Sequence, residues 1–187
     1  PDQTLDVTNN HRKYQSYGFQ WTVNDSREVW GMALDTSLGL RYHSDQVKRN
    51  HQPVTYLMAD YEMVPDNIPR TAKTRNKATT DAYAGYVTSK LSLGAASITL
   101  GIRHEDIEGE VLNYLDDSLR GQTQKLTAGS VSGIWQMTDR LSMFLGAYEG
   151  FSPAGPASGA DHEESLNFEA GLRYTSNRFE SSLTGFR

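Results

Sequence analysis

Residues 68–77 form the segment of this sequence best suited to binding chemistry. The segment carries Arg70, Lys73, Arg75 and Lys77 and contains no acid. A guanidinium group pairs with a carboxylate through parallel hydrogen bonds, and an ammonium group acts as a compact positive charge. The run predicts contact with a small anionic ligand. The alternatives are a solvated charge run and a surface for phosphate groups of other molecules.

A second set of candidate ligand contacts lies along segments that alternate between polar and apolar residues. Its members are polar or aromatic and fall where strand-like segments meet long connections. These residues are Arg41, His43, Tyr86, Arg103 and Tyr148. They are suited either to contact with a ligand or to packing against another part of the protein.

Two acidic segments, residues 104–110 and 161–164, contain carboxylate and imidazole groups of the kind that bind metals. Their spacing matches no defined site, so we predict an acidic surface, with no metal and no cofactor. No nucleophile elbow, zinc signature or phosphate loop is present, so no enzyme activity is predicted. A hydrolase that uses a serine with His43, His104 or His162 is the alternative.

The composition favours a β protein. Only 37% of the 187 residues are hydrophobic, yet the chain has 10 Tyr, 6 Phe, 3 Trp and 16 Gly. Strands with one apolar and one wet face have this composition. The net charge of −5 argues against nucleic-acid binding, and no apolar run approaches the ~20 residues of a spanning helix. The chain has no cysteine, and both of its ends suggest a fragment of a longer protein.

Eight segments alternate with the period of two that marks a strand with two different environments. The clearest is residues 33–43, where Leu34, Leu38 and Tyr42 fall on one face and Arg41 on the other. The eight segments cover residues 13–23, 33–43, 83–93, 97–104, 131–135, 141–147, 166–174 and 179–183.

The connections between these segments are alternately short and long. We expect the long ones at residues 44–79, 105–121 and 152–164, with a strand extension or short helix at 54–64 and helical turns at 111–119. Short turns at one edge and long loops at the other are typical of a transmembrane β-barrel. The prediction is an all-β, antiparallel, up-and-down transmembrane barrel fragment. A soluble β-sandwich is the alternative.

Interfacial aromatic residues also fit a barrel that crosses a membrane. The residues expected in such girdles are Trp21, Tyr42, Trp135 and Tyr174.

Several motifs resemble the β-barrel of TonB-dependent outer-membrane receptors. Residues 125–156 resemble a hairpin of that family that ends in a GFSP corner, here residues 150–153. Residues 164–174, ESLNFEAGLRY, resemble its E-S-x-N-Y-E-x-G-x-R-Y strand, with Phe168 in place of Tyr. LGLRY at residues 38–42 and GIRH at 101–104 resemble its recurring strand ends.

The resemblance implies a Gram-negative outer-membrane receptor with a barrel of about 22 strands and an N-terminal plug. Such receptors import ferric siderophores or similar ligands. Within the family, the sequence as a whole resembles the ferric dicitrate receptor branch. Residues 1–187 would form one partial barrel domain of about eight strands, a curved open sheet without the plug. The implied partners are outer-membrane lipid and lipopolysaccharide, a ferric chelate, and TonB through a missing N-terminal region. A porin-like channel remains an alternative.

Overall fold

One antiparallel sheet contains every strand of the computed structural model, which describes residues 3–59 and 62–187. The strands are β1 (Gln3–Val29), β2 (Met32–Ala59), β3 (Glu62–Pro65), β4 (Thr74–Leu93), β5 (Ala96–Asn113), β6 (Ser118–Gln136), β7 (Leu141–Ser152), β8 (Glu163–Thr175) and β9 (Glu180–Phe186). Within the described ranges no helix is long and apolar enough to span a membrane.

The sheet is an up-and-down meander, as the sequence predicts. Its order is β1-β2-β4-β5-β6-β7-β8-β9, and the short β3 pairs only with β2. Tight turns at residues 30–31, 94–95, 137–140 and 176–179 join the strands at one edge. Trp30 and Gly31 both have positive φ, 54° and 77°, the backbone that a two-residue hairpin turn requires. The outermost strands β1 and β9 do not pair with each other, so the sheet is open.

The strands extend much farther from the tight turns, towards the opposite edge of the sheet, than the sequence predicts. Residues 3–12, which precede the first predicted strand segment, belong to β1, and β2 continues to Ala59. The helical turns expected at 111–119 are wrong, because β5 and β6 extend to a turn of only four residues, 114–117. In the segment 54–64, the described residues are strand, and residues 60 and 61 lie outside the described part. Residues 153–162 form one of the long loops that were expected, and in the expected connection 44–79 the described residues outside strands are 66–73.

The register gives the sheet two chemically different faces. Leu38 pairs with Val23 and Val87, and Val87 pairs with Ile102, so apolar side chains form continuous rows. We call this side the Leu38 face and the opposite side, which carries Arg41, the Arg41 face. On the Leu38 face, Leu40, Ile102 and others are about half exposed, for example 53% for Ile102. No second sheet in the described ranges covers it, so the soluble sandwich alternative is wrong.

Aromatic side chains mark one limit of the apolar zone on the Leu38 face. The ring of Tyr42 lies 6.2 Å from that of Tyr17 and 4.9 Å from that of Tyr83, and its hydroxyl donates to Asp81 at 2.8 Å. The zone from residue 34 to residue 42 measures ~20 Å across for strands tilted by ~40° and rising ~3.3 Å per residue. Trp21, expected near a strand end, lies opposite Leu40 inside this zone.

Candidate ligand-binding surface on the Arg41 face

Five of the predicted contact residues lie on the same face of the sheet. Strand alternation places all of Arg41, His43, Tyr86, Arg103 and Tyr148 on the Arg41 face. Arg41, His43 and Arg103 come together, because β4 contributes only the small side chains of Ala82 and Ala84 between them. Tyr86, on β4 itself, lies beside Arg103. Tyr148, on β7, is separated from Arg41, on β2, by three strands and lies opposite Ser130 and Asn167.

A cavity of about 220 Å³ lies where β2, β4 and β5 run side by side. Ala84 lies between Arg41 and Glu105 in the register, so its methyl group leaves room between the two longer side chains. The lining residues are Arg41, His43, Asp45, Thr80, Ala82, Ala84, Arg103, Glu105, Ile107 and Pro153. Cations, carboxylates and a histidine therefore line one concave site.

The charges around this cavity are paired unevenly. The guanidinium of Arg103 binds Glu105, and Nε2 of His43 lies 2.8 Å from Asp45. For Arg41, no carboxylate oxygen of the described residues lies within ion-pair distance. Arg41 is also exposed. It is thus the cation of the site best able to bind an incoming anion.

Tyr86 is fixed at the edge of this site by contacts on three sides. Gly39 lies opposite it, and a Cβ added to Gly39 would overlap the phenol ring. Its hydroxyl lies 3.4 Å from that of Thr22, and the guanidinium carbon of Arg103 lies 6.0 Å from its ring centre. A cation at that distance is attracted to the ring face. The absence of a side chain at Gly39 is what allows the ring to lie against the sheet.

The loop of residues 153–162 is held against the Arg41 face by two glutamines of β6. Gln124 is buried, donates to the carbonyl of Ala154 at 3.1 Å and accepts from its N–H at 3.0 Å. Gln122 donates to the carbonyl of Ala160 at 2.5 Å and accepts from the N–H of Gly159 at 3.0 Å. The loop thereby brings Pro153 to the wall of the cavity.

Sequence reasoning missed both glutamines. Nothing in the local pattern distinguishes Gln122 and Gln124 from other polar strand residues, since their backbone partners lie 30 to 38 residues away. A glycine opposite Gln122 is the one local sign. At Gly109 an added Cβ would lie 2.8 Å from Cβ of Pro156, so the loop needs a residue without a side chain there.

The cations of residues 68–77 do not converge on this cavity. Arg70 binds Asp66 at 2.5 Å and Thr55 at 3.1 Å, and Lys73 donates to Thr8 at 3.2 Å. Arg75 and Lys77 belong to β4 and lie on the Leu38 face, opposite to Arg41. Their contact with a soluble ligand stays a prediction.

The acidic segments are divided by strand alternation. His104, Asp106, Glu108 and Glu110 fall on one face of β5, and Glu105 on the other. In the described part of the chain, no three His, Asp or Glu side chains are grouped closely enough to hold a metal ion. Asp106 instead binds Lys125 at 3.1 Å.

A sequence profile described as "TonB dependent receptor-like, beta-barrel" matches residues 2–187, nearly the whole chain. The chain belongs to this family. The long strands, the meander and the tight turns at one edge of this receptor barrel agree with the membership. No curated protein matches the sequence significantly.

Solved structures similar to this chain include one transporter and two receptors. The unliganded ferric citrate transporter FecA has 17% identity and a TM-score of 0.85. The match covers 97% of this chain and 28% of FecA. The siderophore receptor PiuA from Acinetobacter baumannii has 13% identity and a TM-score of 0.77. The match covers 95% of this chain and 32% of PiuA. BauA, the ferric preacinetobactin receptor from Acinetobacter baumannii, has 16% identity and a TM-score of 0.70. The match covers 98% of this chain and 30% of BauA. The chain thus spans about a third of these structures, and at such identities the likeness shows the fold.

Proposed function

We propose that this chain is part of an outer-membrane receptor that binds an anionic ferric chelate and imports it with energy delivered by TonB. In this proposal the Leu38 face contacts lipid and the Arg41 face lines the channel. The family membership supports the transport class. Arg41 is exposed, forms no ion pair with the described residues, and lies beside His43 and Arg103 in one cavity, and this position carries the choice of an anionic ligand.

The negative charge of the proposed ligand is inferred from the lack of a counter-charge for Arg41 among the described residues. A neutral ligand would leave Arg41 without a counter-charge in a partly enclosed cavity, whereas a carboxylate-bearing chelate would supply one. Arg103 can also contribute through its remaining N–H groups, because a guanidinium has five donors and Glu105 occupies only some of them. TonB would act through a region outside this chain.

Ligand titrations of the complete receptor test the proposal. Arg41→Gln is expected to weaken the binding of ferric citrate at least tenfold, since a hydrogen bond to a charged group contributes ~1.5–3 kcal/mol. Binding of a neutral ferric hydroxamate should change little. Arg27→Gln is the matched control, because Arg27 lies on the Leu38 face and binds Asp25.

Uptake of radioactive iron in intact cells tests the energised step. We expect uptake to stop when TonB is deleted and to persist in the Arg27→Gln control. Uptake that continues without TonB would identify a passive channel instead. Unchanged ferric citrate affinity in both Arg41→Gln and Arg103→Gln would contradict the assigned site.

A further inference from the structure

Three lysines form a row across β1, β2 and β4 on the Leu38 face. Lys13 pairs with Lys48, and Lys48 pairs with Lys77. Side chains directly opposite each other on neighbouring strands have Cβ atoms ~5 Å apart, so three positive charges are held within ~10 Å. Like charges placed opposite each other destabilise a sheet unless an anion lies between them.

No carboxylate in the described strands neutralises this row. The residues on its face from 5 to 15, 46 to 56 and 75 to 79 contain no Asp or Glu. The acids of these stretches, Asp6 and Asp45, lie on the Arg41 face, where they bind Thr55 and His43. On the neighbouring strand Glu110 lies diagonal to Lys77, and the two are not within ion-pair distance.

Further cations extend the row away from the membrane zone. In the next register position His11 pairs with Asn50, and Asn50 pairs with Arg75. Arg75 is held by the ring of Tyr114, whose centre lies 6.0 Å from the guanidinium carbon. The resulting patch of four cations and one histidine faces outward from the sheet, on the side opposite the ligand cavity. The patch comprises His11, Lys13, Lys48, Arg75 and Lys77.

The height of the row decides which anion it can meet. It lies six residues beyond the row of Phe19, Tyr42 and Tyr83. Six residues of a strand tilted by ~40° rise ~15 Å at ~3.3 Å per residue. The polar headgroup layer of an ordinary bilayer extends only ~5–8 Å beyond its hydrocarbon core. The row is therefore beyond phospholipid phosphates, at the level of phosphates on the core sugars of a lipopolysaccharide.

We infer that Lys13, Lys48 and Lys77 form a binding site for the phosphorylated core sugars of lipopolysaccharide. The inference rests on the outer-membrane location proposed above, but lipid binding can be measured without any transport. The three ammonium groups supply a counter-charge for one or two phosphates, and Arg75 adds a planar donor beside them. The receptor would thereby be anchored laterally by the lipid around it.

Binding of lipopolysaccharide to the complete receptor, measured by native mass spectrometry, tests this site. Neutralising all three lysines to Gln is expected to weaken binding of core-phosphorylated lipopolysaccharide by tenfold or more. A lysine near an anionic surface contributes about fivefold, and raised salt should reduce the difference. The matched control is Lys125→Gln on the same face, where Asp106 already neutralises the lysine at 3.1 Å.

Two lipid comparisons identify the source of the phosphate. Wild-type binding should fall with enzymatically dephosphorylated lipopolysaccharide, and phosphatidylglycerol should not compete. Equal binding of the dephosphorylated form, full competition by phosphatidylglycerol, or an equal loss in Lys125→Gln would overturn the inference. Ferric citrate affinity of the triple variant reports separately on the proposed function, and it is expected to be unchanged.

Discussion

Glu149 accepts a hydrogen bond from the backbone N–H of Gly129 at 2.7 Å, where β6 and β7 stop pairing. The last pair of this ladder is Ser130 with Tyr148, so Gly129 and Glu149 would have been the next pair. The carboxylate replaces a backbone acceptor at this fork. Beyond it β6 continues with β5, and β7 continues with β8.

Replacing Glu149 should loosen the fork. Glu149→Leu is expected to increase the hydrogen-exchange rate of the Gly129 amide by about three- to tenfold, since an exposed charge-assisted bond contributes roughly 1 kcal/mol. Glu163→Gln, which removes an exposed carboxylate of β8, is the control. If the exchange rate at Gly129 is the same in both variants, the carboxylate does not hold the fork.

A side chain at Gly39 should displace Tyr86. In Gly39→Ala the added methyl group overlaps the phenol ring, so we expect a loss of ~1–3 kcal/mol in the free energy of unfolding. Gly85→Ala is the matched control, because its Cβ would meet only Leu40 Cδ2 at 3.5 Å, an ordinary contact. Both changes alter the unfolded chain in the same way. Equal urea midpoints and slopes for the two variants would show that the Tyr86 ring moves aside without lowering the free energy of unfolding.

Removing the amide of Gln124 should release the loop of residues 153–162. Gln124→Leu deletes both bonds to Ala154 and leaves the N–H and carbonyl of this half-buried residue without these partners. We expect faster exchange at the Ala154 amide and new proteolytic cleavage between residues 153 and 162. Gln20→Leu on β1 is the control for hydrophobicity alone. A loop as protected as in the wild type would mean that Gln122 and Pro156 suffice.

The turn of residues 114–117 should keep its structure to low pH. Hydrogen bonds from the hydroxyl of Ser118, at 2.7 Å, and from its backbone N–H lower the pKa of Asp116 below its ordinary 3.8. A depressed pKa contributes stability that is present above 3.8 and is lost as the pH falls through the folded value. Ser118→Ala should move the pKa of Asp116 back towards 3.8, as followed by carbon NMR of the carboxyl group. Asp117→Asn should leave it in place.

Alternation in residues 33–43 and 166–174 was sufficient to predict the strands, their faces and their order. Each of these segments has one apolar face and one polar face, so apolar and polar residues alternate along it. The same alternation placed Arg41 and His43 on one side and Leu38 on the other. These parts of the fold and of the site are local properties of the chain.

The strand extensions left no such signal. In residues 44–56 and 105–113 both faces are polar, so nothing alternates, although the backbone pairs as regularly as in the apolar zone. Backbone pairing depends on the neighbouring strand and does not require an apolar face. Polar connections were therefore predicted where the structure has a continuous ladder.

The sequence by itself determined that this chain is a meander with one apolar face. The tertiary structure decided which distant residues share a site. Register divided Arg75 and Lys77 from Arg41, lined up Lys13 with Lys48, and brought Gln124 to Ala154. The physical reason is that a shift of one residue in register exchanges the two faces of a strand, and register is fixed by contacts between strands far apart in sequence.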